Sequence, residues 1–168
     1  MNLQTALVEA LKSPYHAKTV KRFISDLSGS PVMKTQIKGI IGRSDDTVVF
    51  ETQKGLALKL TKGSQFRLNR PVETFDAPVY SRGSVNNTHY CFEELCSNKG
   101  LKTSDVKKVI DCIKAKGYRV YDLDEFDVHQ IGKSADGKLY LVDHECAKYK
   151  TIFHKLFLQI KSVFGNKN

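Results

Sequence analysis

Long apolar runs are missing from this sequence, and their absence narrows the classes of protein to consider. No segment approaches the roughly eighteen consecutive apolar residues of a membrane-spanning helix. Residues 1–16 have polar breaks and an acid where the apolar core of a signal peptide would lie. We therefore expect a cytoplasmic protein, or one delivered into a host cell without a cleavable signal peptide.

Cysteine is also scarce. The chain has four cysteines, which are Cys91, Cys96, Cys112 and Cys146. They form no CxxC pair and lack the dense, even spacing of a disulfide scaffold. We expect reduced and mostly buried thiols. The sequence also contains no internal repeat and no low-complexity tract, which fits one ordinary folded domain of 168 residues.

Basic residues outnumber acidic ones. The chain has 27 lysines and arginines against 18 aspartates and glutamates, a formal net charge of +9. Such a charge favours encounter with an anionic partner such as a nucleotide or a nucleic acid. The basic residues are spread along the chain, however, and no aromatic-basic signature of an RNA-binding sheet is present. This pattern argues against a nucleic-acid-binding α+β protein, which we keep as the weakest alternative.

The first half of the chain changes from a helical to a strand-like period. Apolar residues recur every three or four positions over residues 3–27, with a break at "SPYH". From Val32 the segments "VMKTQIKGIIG", "DTVVFETQ" and "LALKLTK" predict three short antiparallel strands. "APVYSRGSVNNTHYCFEEL" predicts a further hairpin that turns at "GSVNN". The sequence thus predicts two helices followed by an antiparallel sheet.

The second half predicts mixed structure. "TSDVKKVIDCIKAKG" predicts a helix that Thr103 or Ser104 caps and that Gly117 ends. "IGKSADGKLYLVD" predicts a hairpin that turns at "ADG", and residues 151–168 carry apolar residues at helical spacing. The fold class that we expect is therefore α+β.

Asp143 ends the apolar strand "LYLVD". A charged carboxylate directly after an apolar strand indicates a structural or functional role for this residue. A strand fixes the backbone of such a residue, and the end of a strand opens on a cleft. Magnesium that bridges phosphate groups takes one or two protein carboxylates and keeps several waters. A metal ligand is thus one explanation for Asp143, and a turn-closing carboxylate is the other.

Four segments in order resemble the protein-kinase-like fold in a minimal, truncated form. They are "IIGRSDDTVVF", "LALKL", "YCFEELC" and "LYLVDHE". The resemblance implies a single domain over residues 1–168. Its parts would be a helical N-terminal extension at 1–30, a small antiparallel N-lobe-like sheet at 32–96 and a reduced helical C-lobe at 101–168. A bacterial or phage protein, or an effector, would suit so small a kinase or pseudokinase.

The resemblance also implies ATP and magnesium as cofactors. Gly42 and Ser44 would occupy glycine positions of the nucleotide loop, and Val49 would cover the adenine. Lys59 would bind the nucleotide phosphates, as the lysine of the V-A-I-K strand does, and Glu94 would belong to the hinge.

The catalytic loop "YRVYDLDEFDVHQIG" can be aligned with the family in three ways, while Asp143 binds metal in each. Asp122 can be the catalytic acid with Asp127 as the second metal ligand, which preserves the family spacing and is the alignment that we favour. Counting back from Asp143 gives Glu125 as the base and Gln130 as the metal ligand instead. In the third alignment, "DVH" makes Asp127 the catalytic acid.

Several family parts are missing or altered. The chain is too short for the helix whose glutamate pairs with the family lysine, and for an activation segment with its substrate-binding subdomain. Ser44 and Thr47 replace glycines of the nucleotide loop, which would stiffen it. We therefore expect a minimal phosphotransferase with a protein substrate or regulatory partner. The alternative is a pseudokinase that acts as a protein-interaction module.

Overall fold

The computed structural model describes residues 1–12, 16–62, 72–121, 123–124, 126–143 and 146–149. Across these residues the chain is α+β, as the sequence predicts. The chain forms two compact units. One contains Met1–Arg67 and Pro78–Leu95, and the other contains Leu68–Ala77 and Cys96–Asn168.

Two helices open the first unit, where the periodicity predicts them. They are α1 (Leu3–Ala10) and α2 (Ala17–Leu27). Each buries the residues that recur at three- and four-residue spacing, which are Leu3, Ala6, Leu7 and Ala10 in α1 and Val20, Phe23 and Leu27 in α2. The apolar stripe of each helix therefore packs into the core, as expected for amphipathic helices.

A five-stranded antiparallel sheet completes this unit. Its strands are β1 (Ile37–Arg43), β2 (Thr47–Thr52), β3 (Leu56–Lys62), β4 (Val79–Val85) and β5 (Thr88–Glu94). Their spatial order is β1-β2-β3-β5-β4, so β5 lies between β3 and β4. Alternate residues of the central strands are buried against α1 and α2, which are Val48, Phe50, Leu58 and Leu60. One face of the sheet thus forms the core of the first unit with the two helices.

Two local boundaries differ from the sequence prediction. Pro31–Lys34 forms a short 3-10 helix, so the strand predicted from Val32 begins only at Ile37. The fixed φ of proline and the Ser30 side chain, which accepts the Val32 N–H at 3.3 Å, favour this turn. The hairpin predicted to turn at "GSVNN" keeps its strands up to a two-residue turn. Asn86 in that turn has a φ of 54°, a conformation that asparagine tolerates.

The described residues of the second unit form one α-helix, four short strands and a 3-10 helix at Val128–Gln130. The α-helix and the strands are α3 (Thr103–Ala115), β6 (Tyr118–Val120), β7 (Ile131–Lys133), β8 (Leu139–Leu141) and β9 (Ala147–Tyr149). β6 pairs with β9, and β7 pairs with β8, both in antiparallel register. The β7–β8 pair is the hairpin that the "ADG" turn predicts.

Helix α3 begins differently from the prediction. Neither Thr103 nor Ser104 caps it, because the helix begins at Thr103 and Lys102 is the residue before it. The carboxylate of Asp105 instead accepts the Lys102 N–H at 3.2 Å. At the other end, Gly117 has a φ of 83°, which is the left-handed conformation that commonly ends a helix.

A separate apolar core holds the second unit together. Four buried residues of α3 pack with side chains from the strands and loops around it, which include Phe75, Tyr118, Ile131 and Leu141. The helix predicted over residues 151–168 lies outside the described residues. None of the helices in the described part of the chain has the length and apolar character needed to span a bilayer.

Candidate functional site

Three of the nucleotide-binding residues predicted from sequence share one row across the first-unit sheet. Gly42 on β1 pairs with Val49 on β2, and Val49 pairs with Lys59 on β3. The row continues through Cys91 on β5 to Arg82 on β4. Directly paired residues in an antiparallel sheet place their side chains on the same face. The structure therefore brings Gly42, Val49 and Lys59 together, in what we call the Lys59 row.

The Lys59 row lies on the sheet face opposite to the helices. Leu58 and Leu60, the neighbours of Lys59, are fully buried in the core with α1 and α2. Because side chains alternate along a strand, Lys59 belongs to the other face. Cys91 in the same row is fully buried, and Glu93, two residues along β5, is 5% exposed. This face thus combines charged side chains with partial exclusion of water.

The charges of this face act on the Cys91 thiol. The pKa of Cys91 is raised to about 12, mainly by burial of the thiol and also by the negative charge of Glu93. Lys59 and Arg82 oppose that shift, since positive charge favours the thiolate. These three charged groups therefore lie close enough to Cys91 to act on its thiol. Two cations and one carboxylate surround a buried thiol.

The turn between β1 and β2 departs from a glycine-rich phosphate loop. The N–H of Ser44 donates to the Thr47 carbonyl at 2.8 Å, which closes the turn. The Asp45 carbonyl accepts the hydroxyl of Thr19 from α2 at 2.8 Å, and the Asp46 carbonyl accepts the Lys62 N–H at 2.9 Å. The turn is thus fixed at three points. It also carries two carboxylates, which would repel phosphate oxygens.

Glu94 lies apart from the Lys59 row. It ends β5, where its N–H donates to the Pro78 carbonyl at 2.9 Å. Its carboxylate accepts the Tyr80 hydroxyl at 2.5 Å. Glu94 pairs with Leu56, so its side chain shares the face of Leu58 and not that of Lys59. Only its backbone could serve in a nucleotide hinge beside the row.

The second unit brings Gln130 and Asp143 together. The Gln130 carbonyl accepts the Val142 N–H at 3.0 Å and the Asp143 N–H at 3.4 Å. These contacts extend the β7–β8 hairpin beyond its last strand pair, Ile131 with Leu141. The Asp143 carbonyl in turn accepts the Cys146 N–H at 3.1 Å. Two of the predicted metal ligands therefore start from adjacent positions at the open end of one hairpin.

Asp127 stands one turn before Gln130 and closes its own loop. Its carboxylate accepts the Asp124 N–H at 2.8 Å, and its carbonyl accepts the Gln130 N–H at 3.0 Å. His129 Nε2 lies 3.8 Å from the same carboxylate. Asp124 accepts the N–H of Phe126 at 2.8 Å. The two aspartates thus stabilise the loop through backbone hydrogen bonds.

The structural role of Asp124 has no clear signal in the sequence, because four acids in a short loop are typical of a solvated loop until their backbone partners are known. Nor does the sequence indicate the row partners Cys91 and Arg82. Their membership follows from the position of β5 between β3 and β4, which no local pattern reports. The remaining predicted catalytic residues, Asp122 and Glu125, lie outside the described residues.

No set of three or more His, Cys, Asp or Glu side chains is arranged to bind a metal ion in the part of the chain that the structure describes. That arrangement is typical of zinc and calcium sites. Magnesium requires fewer protein ligands, and its usual partners are one or two carboxylates together with the substrate's phosphates. One carboxylate and one amide oxygen, such as those of Asp143 and Gln130, fit this chemistry.

Comparison with known proteins does not indicate a function, so any functional assignment rests on the geometry of the described residues. No protein-family model matches the chain, and no curated protein matches it. The Lys59 row and the hairpin end that holds Gln130 and Asp143 are therefore the features that can indicate a function.

Proposed function

We propose that this chain is a minimal kinase-like phosphotransferase that binds ATP with magnesium. The observation that carries the proposal is the backbone hydrogen bond from the Asp143 N–H to the Gln130 carbonyl, at 3.4 Å. In protein kinases, a loop Asn and the Asp that ends a nearby strand hold the magnesium ions. Gln130, with an amide side chain, and Asp143, with a carboxylate, would take the corresponding roles at the open end of the β7–β8 hairpin, where their backbones are hydrogen-bonded.

The same contact favours one of the three alignments of the catalytic loop. Pairing Gln130 with Asp143 assigns Glu125 as the residue that orients the acceptor hydroxyl. In the alignment that makes Asp127 a metal ligand, only Oδ1 of its carboxylate would face the metal, since Oδ2 accepts the Asp124 N–H at 2.8 Å. No backbone hydrogen bond comparable to the one between Gln130 and Asp143 supports that alignment among the described residues. We therefore assign magnesium to Asp143 and Gln130.

Lys59 would bind the nucleotide phosphates. It shares a sheet face with Arg82, and the two side chains act on the same buried thiol. Two cations on one sheet face, Lys59 half-buried and Arg82 exposed, suit phosphate oxygens, because charge-assisted hydrogen bonds are stronger than neutral ones. The small residue Gly42 beside Val49 would leave room above the adenine position, where an added Cβ would meet Val49 at 3.6 Å.

The turn at residues 44–46 favours a second role for the same fold, a pseudokinase that holds a partner protein. A closed turn with two carboxylates encloses phosphates poorly, so the rate of phosphotransfer would be low. Nucleotide binding and phosphotransfer are therefore measured separately.

Thermal unfolding and calorimetry with magnesium and ATP test the nucleotide site. A ligand at one hundred times its dissociation constant stabilises the folded state by about 2.7 kcal/mol. For a chain of this size we expect the melting temperature to rise by roughly 5–10 °C. The rise requires magnesium, and it disappears in Lys59→Ala and Asp143→Asn. Lys62→Ala on the same strand and Asp136→Asn on the hairpin turn are the matched controls, and both keep it.

Absence of any shift at millimolar nucleotide would reject the proposal. Binding without transfer of the γ-phosphate to protein, peptide or water would assign the pseudokinase role. Transfer that Glu125→Gln abolishes while it leaves ATP affinity unchanged would assign the phosphotransferase role and the proposed alignment together.

A further inference from the structure

A cavity of about 470 Å³ lies beside α3 in the second unit, and none of its lining residues belongs to the proposed nucleotide site. Its apolar wall is formed by Phe75, Val109, Ala115 and Leu139, and its charged lining residues are Lys108 and Lys116. The volume falls within the roughly 300–1,000 Å³ of typical small-molecule pockets, which combine apolar walls with a few polar groups.

The walls of this cavity are fixed by the fold. Residues 108, 109, 112, 115 and 116 recur at helical spacing, so they form one face of α3 and its end. Phe75 lines the cavity opposite this face of α3, and its own backbone carbonyl accepts the Leu141 N–H at 2.6 Å. The Phe75 ring also packs edge-on against Tyr118, with ring centroids 5.7 Å apart. The cavity is therefore preformed, which lowers the cost of binding.

The charge around the cavity is positive. Residues 102–116 contain five lysines and two aspartates, a net charge of +3. Lys108 lies 3.0 Å from Asp105, and Lys116 lies 3.9 Å from Glu73. Both lysine side chains are about half or more exposed, and ion pairs of this kind contribute little stability. Each ammonium group has three donors and retains the capacity to bind a ligand anion.

We propose that this cavity binds a small amphipathic anion, a molecule with an apolar chain or ring and one carboxylate group. The apolar part would lie against Phe75, Val109 and Leu139, and the carboxylate would bind Lys108 and Lys116. This site is independent of the proposed nucleotide site, since it shares no residue with it.

Decanoate is the probe, and calorimetric titration of the whole chain is the measurement. We expect binding that weakens about tenfold or more in the double variant Lys108→Gln, Lys116→Gln. The matched control is Lys107→Gln, Lys114→Gln, which removes the same charge from the same helix outside the cavity. It should change the affinity by less than about twofold. Shorter acids should bind more weakly, by roughly fourfold for each methylene removed, and 1-decanol should bind more weakly than decanoate.

Cys112 supplies a second readout that needs no substitution, because its exposed side chain lines the cavity. Decanoate should slow alkylation of Cys112 by iodoacetamide, followed by peptide mass spectrometry. Cys96, which does not line the cavity, is the internal control. Failure of millimolar decanoate to bind, equal losses in the two lysine pairs, or an unchanged Cys112 rate at saturating decanoate would each overturn the proposal.

Discussion

Gly132→Ala tests whether the hairpin that carries Gln130 and Asp143 is as tightly seated as the structure shows. Gly132 lies on β7, and a Cβ added there would lie 2.4 Å from the Cys96 Cβ and 3.2 Å from Val142 Cγ1. A contact of 2.4 Å between two carbon atoms bound to backbone cannot be relieved by rotating a side chain. The hairpin or the segment that carries Cys96 must therefore move.

Movement is opposed by backbone bonds beside the contact. Ser97 and Lys133 exchange two N–H to carbonyl hydrogen bonds, both 2.9 Å long, which hold the two segments together. Overpacking of this kind costs about 1–3 kcal/mol. The lower flexibility of the unfolded alanine chain offsets about 0.4–1 kcal/mol of that cost. We expect a net loss of about 1–2 kcal/mol.

Urea unfolding measures this loss, which corresponds to a midpoint lower by about 0.5–1 M. Gly39→Ala on β1 is the matched control, because a Cβ there meets nothing within 4 Å. Cys96→Gly should restore part of the stability of Gly132→Ala, although alone it destabilises by about 1 kcal/mol. Two results would refute the tight contact. One is that Gly132→Ala is as stable as Gly39→Ala, and the other is that Cys96→Gly restores no stability when it is combined with Gly132→Ala.

Two titrations give further predictions. The raised pKa of Cys91, about 12 against an ordinary 9.0, means that the folded state holds this proton more tightly than the unfolded state. Its contribution is complete below pH 9 and is lost between pH 9 and 12, so the stability difference between wild type and Cys91→Ala should fall by up to about 1.4 kcal/mol per pH unit in that window. If urea unfolding gives a stability difference that stays constant from pH 9 to pH 12, this prediction is contradicted. The pKa of Asp136 is lowered to about 2 by hydrogen bonds from the Ser134 hydroxyl and from Lys138. The stability it adds is present above pH 3.8 and disappears as the pH falls through 2, and NMR should show its carboxyl titrating about two pH units below an ordinary aspartate in native protein, whereas Ser134→Ala should raise that pKa.

The sequence predicts the β7–β8 hairpin and, through it, one feature of the candidate site. A turn centred on Asp136 pairs residue 131 with 141, and the observed register does the same. Counting outward then places Gln130 opposite Val142 and next to Asp143. Local turn chemistry was sufficient here because the two strands are joined by the turn itself.

The Lys59 row could be predicted only in part. Alternation along "LALKL" separates Lys59 from Leu58 and Leu60, so its face follows from one strand. Its neighbour Cys91 does not, since β5 reaches β3 across residues distant in the chain. Long-range strand pairing leaves no local signal in the sequence. The charged groups that share a sheet face with Lys59 are determined by that pairing. The hydrogen bonds that close the loop around Asp124 and Asp127 are hidden from sequence for a different reason, because a carboxylate can cap any of several nearby N–H groups.

The two proposed roles of the site depend on one shared step. Phosphotransfer is accelerated by positioning and charge neutralisation, and both require that the nucleotide first binds with its metal. Asp143 and Gln130 would serve that first step in the proposed site, whereas a phosphate-enclosing turn at residues 44–46 would serve the second. The turn is closed by a hydrogen bond of 2.8 Å between its own backbone groups, so it offers phosphates less than a glycine loop would. Departures from the kinase pattern in this chain therefore weigh on the rate of transfer more than on nucleotide affinity, and affinity for magnesium-ATP is the property that both roles predict.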